Sequence, residues 1–599
     1  MKRCEVIARL NQPKSTGCPV KELPIDICGK SVQVNCDAVA NFRTIDGSCN
    51  NLKNPEWGKA GSMQSRSVTN AYDDGRSTPR VRSTCTGKDL PSARVVSNAI
   101  HAAGVSMELE PHFSYMIMQM GQFLSHDFIL TKTFTMDDES PLDCCGNETL
   151  CSECFPIQVP AGDSMNISCL AMSRSKAAID CKRIRQQLNG HSSYLDMSLS
   201  YGMNEEAAKD LRTFSGGLLN TTNANLPADE GDSTCHLEGE FDPILNYCPE
   251  SGDPRVNENV GLASMHTIFH RAHNNFANGL AKINPDWDDE MLYQNARKIL
   301  IGVWQNIVYG EYLPLIIGQP AMKYHKIDVT NNGFKDTYNE KTDATTINEG
   351  GIAFRFGHST VSRLIVLQDE DYSLSMPPEP LEDHYFLTKL YHIFNGRGHE
   401  DVLRWTVDSA CPKMDRMLEP SVQQKLFQDK SDKASDIAAL NIQRGRDHGL
   451  PGYNAYRRQC GLTPARDFST ARGGLVDMDS DVAALLQKVY SCPDDIDLFT
   501  AIVTERRSNG AIVGPLGQCI IADMFKRFRD GDRFFFERND PLIGFTEAQL
   551  NAIKKISMSS LICITTRTST MQDNAFLFNT SKKPCSEFPV LDFGLWKQT

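Results

Sequence analysis

Ala438-Ala-Leu-Asn-Ile-Gln-Arg-Gly-Arg-Asp-His-Gly-Leu-Pro-Gly-Tyr-Asn-Ala-Tyr456 packs Asn441, Arg444, Arg446, Asp447 and His448 into eight residues. It then breaks into a Gly-Leu-Pro-Gly turn. The apolar spacing predicts a helix over Asp436 to Arg444, with the charged cluster at its end. A guanidinium there can clamp a carboxylate with two parallel hydrogen bonds. The other reading is a self-satisfied Arg–Asp–His network. That network suits Asp447 and His448, whereas Arg444 and Asn441 are the stronger candidates for contact with a ligand.

Two segments upstream carry further histidines. In Gly350-Gly-Ile-Ala-Phe-Arg-Phe-Gly-His-Ser-Thr360, His358 lies among aromatic and small residues, with Arg355 one turn earlier if the chain is helical there. A neutral imidazole facing a planar cofactor is a common way to hold haem iron, and a packed core histidine is the alternative. In Met116-Ile-Met-Gln-Met-Gly-Gln-Phe-Leu-Ser-His-Asp-Phe-Ile-Leu130, Gln122 and His126 are four apart and share one helix face. Polar groups on so apolar a surface need partners or a ligand. Asp127 points elsewhere, as a surface charge or an oxygen ligand for a hard cation. Ser125-His126-Asp127 cannot be a hydrolytic triad, because neighbours on a helix diverge and no Gly-x-Ser-x-Gly elbow is present.

Helical spacing extends over His112 to Thr131, Leu262 to Ile283, Glu290 to Leu313, Val482 to Tyr490 and Thr546 to Ile556. Alternating strand-like runs are few. The fold class expected is mostly α, with long disulfide-stapled loops and little β. Length alone, 599 residues, would suggest about four domains. No Pro/Gly/Ser linker divides residues 90–590, which favours one large domain.

Composition narrows the function. A net charge of −13 lacks the broad basic surface a nucleic-acid partner needs. No run approaches the ~18 apolar residues of a membrane span. Twenty cysteines indicate disulfides and an oxidising compartment. Cys151-Ser-Glu-Cys154 has no second ligand pair at zinc spacing, so disulfides are the better reading. Met1-Lys2-Arg3-Cys4 leads into polar sequence, so the leader of a secreted protein would lie outside this chain. Sequons at Asn147, Asn166, Asn220 and Asn579 permit glycosylation.

Taken together and in order, the three segments closely resemble the animal haem peroxidases, the group of myeloperoxidase, lactoperoxidase, thyroid peroxidase and peroxidasin. The resemblance spans roughly Cys36 to Cys585. It begins at Phe42-Arg-Thr-Ile-Asp-Gly-Ser-Cys-Asn-Asn51 and is densest at Ala439 to Cys460. The cysteine-rich loop is similar to that of invertebrate members. It implies a secreted enzyme that reduces H2O2 and oxidises halide, thiocyanate, phenols or tyrosine through an oxyferryl intermediate. The rival is a catalytically silent adhesion or extracellular-matrix protein of the same fold. Extracellular-matrix or cell-surface proteins are possible further partners. The expected organisation is an N-terminal arm or pro-segment at 1–35, a catalytic domain at 36–590 and a tail at 591–599.

Residue by residue, the resemblance makes His126 the distal histidine, Gln122 its catalytic partner near the peroxide and Arg255 the distal arginine. His126 would act as the general base, and peroxide reactivity would fall below about pH 5. His358 would ligate the haem iron, with Asn441 accepting a hydrogen bond from its other ring nitrogen. Arg355 and Arg444 would face the propionates. Asp127, Ser192, Tyr194 through its carbonyl, Asp196 and Ser198 would bind calcium. Family members usually carry two haem esters. Glu258 matches one carboxylate, but Ser125 stands where the other should be, so at most one ester is expected. Asn259 replaces the methionine that a sulfonium link would need. Arg355 occupies the position of the radical tyrosine of cyclooxygenases, which argues against fatty-acid oxygenation. The pairings implied are Cys36–Cys49, Cys235–Cys248 and a staple from Cys144 to Cys169, with Cys4, Cys18 and Cys28 unexplained.

Overall fold

In the computed structural model, which describes residues 24–28, 34–102, 107–146, 151–229, 234–428 and 433–598, helices carry the core and short strands tie loops together. In chain order, the elements that position the site begin with strands β1 (Ile25–Asp26) and β2 (Leu109–Ser114) and helix α1 (Met116–Phe128). Strands β3 (Ala177–Ile179) and β4 (Arg185–Gln187) precede helices α2 (Val260–Ile283), α3 (Asp289–Ile307) and α4 (Asn348–Ala353). A tight 3-10 turn, Phe354–Thr360, continues α4. Helix α5 (Gly398–Asp408), strand β5 (Ala410–Pro412) and helices α6 (Ile437–Asp447) and α7 (Pro515–Asp530) complete the set. The mostly α class is what the spacing predicts.

Side-chain caps start several of these helices. Asn259 accepts from the Leu262 amide at 2.9 Å, Asp288 from Met291 at 2.8 Å and Asp436 from Ala439 at 3.0 Å. Helix α1 is apolar on nearly every side and correspondingly buried. Phe123 stacks on Phe269 of α2 at 4.9 Å between ring centroids and meets Trp304 of α3 edge-on at 5.4 Å. On its other flank, Phe128 packs against Phe354 and against Phe525 and Phe528 of α7. Gly121 is required here, since a Cβ would lie 2.7 Å from the Tyr312 hydroxyl.

Two helix boundaries differ from expectation. The run from His112 is not helical, because Leu109–Ser114 pairs antiparallel with β5, matching Ser114 with Ala410 and Leu109 with Pro412. That pairing is between distant segments, and it delays the helix to Met116. Helix α3 stops being α-helical at Ile307 and continues as a π-helical turn over Val308–Tyr312.

Disulfides staple the loops as the resemblance implies: Cys36–Cys49, Cys235–Cys248, Cys144–Cys154 and Cys145–Cys169. Cys85–Cys492, Cys460–Cys519 and Cys563–Cys585 add longer-range closures. Cys154 of the CxxC pair is thereby structural. Cys4 and Cys18 lie outside the described residues.

Described residues near both ends of the chain pack on the rest of the fold. Phe593 packs on Phe276 of α2, and the Asn284 amide donates to the Trp596 carbonyl at 3.1 Å. At the other end, β1 joins β3 in parallel, pairing Ile25 with Ala178 and Asp26 with Ile179. The same register carried two residues further sets Cys28 beside Cys181, and both thiols are free and exposed. Neighbouring strands lie about 4.8 Å apart, within the Cα separation a disulfide spans. A non-reducing peptide map of the oxidised protein is therefore expected to recover a Cys28–Cys181 cross-link. Alkylation of both thiols without prior reduction would refute it.

Candidate active site

Helix α1, the Asp253–Val260 segment ahead of α2, and the turn after α4 converge on one cavity of about 330 Å³. His126, Gln122, Ser125, Arg255, Glu258, Arg355 and His358 all line it. The three segments singled out in the sequence thus meet, although Asn441 and Arg444 stand behind the wall rather than in it.

On the distal side, Nε2 of His126 lies 4.0 Å from Glu258 Oε2, and Nδ1 lies 3.9 Å from Asp253 Oδ2. Both separations exceed hydrogen-bond range. Burial, and then the Arg255 charge, hold the imidazole well below the ordinary histidine range. The ring is therefore neutral and able to take up a proton. Arg255 is fixed by Asp253, whose Oδ1 accepts from its backbone amide at 2.8 Å and from Nε at 2.9 Å. Its Nη2 also reaches the His126 carbonyl at 3.4 Å. Burial works against ionisation of Asp253, yet Arg255 and His191 keep its carboxyl well below the usual range.

Gln122 lines the cavity with His126, and its amide is held by Glu258 and Asn259. Its amide nitrogen donates to Glu258 Oε2 at 3.1 Å, and its carbonyl accepts from Asn259 at 3.1 Å. Burial pushes the Glu258 carboxyl up to about 7. Ser125 donates to the Gln122 backbone carbonyl oxygen at 2.8 Å.

On the proximal side, Asn441 reaches His358 as expected, but with the opposite amide orientation. Its Nδ2 faces His358 Nδ1 at 2.7 Å, and its Oδ1 accepts from Arg355 Nη1 at 2.7 Å. The physical reason is Arg355, which has no carboxylate ion pair among the described residues and donates to Asn441 Oδ1 instead. Burial, with Arg444 and Arg255 nearby, lowers the Arg355 guanidinium to about 9. Burial and Arg355 lower His358 to about 3. Arg444 is less available than expected. Its Nη1 donates to the Ser173 carbonyl, Ser175 Oγ and Asp447 Oδ2, so it belongs to the network that the sequence assigned to Asp447 and His448.

These residues fit a haem. Asn441 anchors His358 at Nδ1; with the amide turned so that its Oδ1 accepts from Nδ1–H, Nε2 would keep the lone pair needed to hold the iron. A Cβ built on Gly357 beside it would meet nothing within 4 Å, so the turn leaves room for a flat group. Arg355, half-buried and without a carboxylate ion pair among the described residues, suits an anionic propionate.

Behind His126, Asp127 turns away from the cavity into a cage of oxygens. Ser192 Oγ donates to Asp196 Oδ1 at 2.7 Å and approaches the Tyr194 carbonyl at 3.3 Å. Ser198 Oγ lies 3.1 Å from the Asp127 carbonyl and 3.4 Å from its Oδ1. Trp304 Nε1 donates to Asp127 Oδ2 at 2.8 Å. Asp196 Oδ2 is buried without a hydrogen-bond partner. Burial, then the neighbouring Asp196, raises the Asp127 carboxyl well above its usual range. Two buried carboxylates among hydroxyl and carbonyl oxygens are the donor set of a hard divalent cation.

Sequence reasoning missed Asp253 and His191. Asp253 stands two residues before Arg255, and that Asp-x-Arg spacing was the available signal. His191 immediately precedes the Ser192–Ser198 loop.

A helical shell that sets two histidines across one cavity, with a fixed arginine beside the first and an amide behind the second, defines a haem-dependent peroxidase. The family described as Animal haem peroxidase matches residues 42–576, and the chain belongs to that family. It is 36% identical to a peroxidase-like protein of Margaritifera margaritifera, over 90% of this chain and 70% of that one. It is 33% identical to the chorion peroxidase of Aedes aegypti, over 94% and 73%. Peroxidase A from Dictyostelium discoideum has a similar structure, with a TM-score of 0.73 at 27% identity, covering 90% of this chain and 99% of that one. The enzyme is an oxidoreductase acting on hydrogen peroxide. No helix among the described residues is long and apolar enough to cross a membrane.

Proposed function

We propose that the chain is a competent, extracellular peroxidase that passes the oxidising equivalents of H2O2 to small donors: iodide, bromide, thiocyanate, or phenols including tyrosine. The observation that carries this reading is the meeting of His126, Arg255 and His358 on one cavity. A silent matrix protein has no need of a buried neutral imidazole and a fixed guanidinium on the same wall.

Bound haem supplies the iron that accepts a peroxide oxygen and stores the oxidising equivalents. The protein supplies proton handling and charge. With haem bound, His126 Nε2 would accept a proton from the incoming peroxide and return it to the leaving oxygen. Arg255, locked by Asp253, presents positive charge where negative charge grows as the O–O bond breaks. Asn441 sets the ring plane of His358, Arg355 takes a propionate, and Glu258 provides one ester. Asp127, Ser192, the Tyr194 carbonyl, Asp196 and Ser198 hold Ca2+, which ties the end of α1 beside the distal histidine. The disulfides support an extracellular setting.

Purified protein is expected to show a Soret band and to oxidise guaiacol and iodide with H2O2. A Soret band without turnover on either donor would favour the silent matrix reading.

A further inference from the structure

We propose that His191 is a positioning residue for the distal pair, carrying the geometry of the oxygen cage at Ser198 through Asp253 to Arg255 and His126. His191, Asp253 and Ser198 are all buried. His191 Nε2 lies 2.9 Å from Asp253 Oδ2, and its Nδ1 lies 3.0 Å from Ser198 Oγ. Asp253 in turn grips the Arg255 guanidinium, with Nε donating to Oδ1 at 2.9 Å and to Oδ2 at 3.1 Å. The same Oδ2 is the atom nearest His126 Nδ1, at 3.9 Å. One carboxylate oxygen therefore faces three groups: the distal arginine, the distal histidine and His191.

The direction of each bond follows from proton counting. An ionised carboxylate only accepts, so His191 must carry its proton on Nε2. Its Nδ1 then has a lone pair and accepts the Ser198 hydroxyl proton. Ser198 has one such proton and three acceptors within reach: His191 Nδ1, the Asp127 carbonyl and Asp127 Oδ1. Once the ring takes that proton, the hydroxyl oxygen faces the Asp127 oxygens with lone pairs alone. That arrangement is stable when a cation sits among them, and the inference rests on the calcium reading to this extent. A cation at the cage withdraws charge from Ser198 Oγ and strengthens its donation to His191. The ring is thereby held against Asp253, and Asp253 against Arg255.

The alternative is a core histidine that merely fills space. Leucine in its place would keep the volume and lose both bonds, whereas glutamine can keep a donor and an acceptor. The readout is the dissociation constant of cyanide on the ferric holoprotein, since hydrogen cyanide gives its proton to a distal base and its bound anion needs a distal donor. His191→Leu is expected to weaken cyanide about tenfold, the value of one hydrogen bond to a charged group, and His191→Gln no more than about threefold. Haem content by absorbance and calcium content by elemental mass spectrometry are measured on each sample. Cyanide binding of His191→Leu within about twofold of wild type, at full haem content, would overturn the proposal. So would equal weakening in His191→Gln. Should the leucine chain not fold, His191→Asn, polar but too short to bridge both partners, takes its place under the same criteria. Wild-type protein without calcium would refute the cage while the cyanide comparison still decided the role of His191.

Discussion

Replacing His126 with alanine is expected to slow the reaction of the ferric enzyme with H2O2 by about 10²–10⁴-fold, the usual contribution of a positioned acid–base group. The Soret band should remain at wild-type intensity. The two parts of this expectation have separate causes. The imidazole is the neutral base best placed on the distal wall, because Arg255 is a cation and the Gln122 amide is committed to Glu258 and Asn259. Glu258, whose carboxyl is pushed up to about 7, lies 4.0 Å from Nε2 and accepts from Gln122, so it is a poorer substitute. The ring also makes few bonds that the fold depends on: Nδ1 has no hydrogen-bond partner, and the two carboxylates near it stand 3.9 Å and 4.0 Å away. Its removal strands no donor or acceptor, and Arg255 keeps its hold on Asp253. Haem is held from the other wall, so the cofactor stays. Stopped-flow mixing of ferric protein with H2O2 gives the rate directly. A rate within tenfold of wild type would remove His126 from the proton transfer.

What the sequence disclosed about this site was local. Gln122 and His126 share a helix face because four residues make about one turn, and that holds whatever α1 packs against. The short disulfides Cys36–Cys49 and Cys235–Cys248 likewise close loops of neighbouring chain. The contacts that set the chemistry are between distant segments. Trp304 donates to Asp127 across 177 positions, and His191 reaches Asp253 across 62. No periodicity encodes such meetings. Arg444 was misjudged for a related reason: a guanidinium near a helix end looks available until Ser173 and Ser175 arrive from a distant loop to bind it. Gln122 was drawn towards Glu258 by the same kind of contact. The start of α1 shifted because β5 pairs with the residues before it. The π-helical turn after α3 has no signal that apolar spacing could reveal.

Substituting Glu258 by glutamine is expected to convert covalently held haem into haem that leaves on denaturation. The carboxyl lines the cavity, its Oε2 accepts from Gln122 at 3.1 Å, and burial pushes its pKa up to about 7. Near neutral pH a substantial fraction is thus uncharged and free of the cost of burying an anion beside the cofactor. Ester formation joins this carboxyl to a haem methyl carbon and removes two protons and two electrons, which one H2O2 accepts to give two waters. Glutamine matches the side chain in shape and can still accept a hydrogen bond, so non-covalent binding through His358 persists. It has no carboxyl oxygen with which to form the ester. Ser125 cannot substitute, because an alcohol forms no carboxylate ester with a methyl carbon and its hydroxyl is already directed to the Gln122 backbone carbonyl. The consequence is all-or-none in an intact-mass spectrum taken under denaturing conditions after exposure to H2O2. Wild type is expected to carry the added mass of one haem, and Glu258→Gln to appear as bare polypeptide with free haem in the same sample. Haem retained on the glutamine variant would place the link elsewhere on the chain, and haem released from wild type would mean that the carboxyl serves only to hold Gln122.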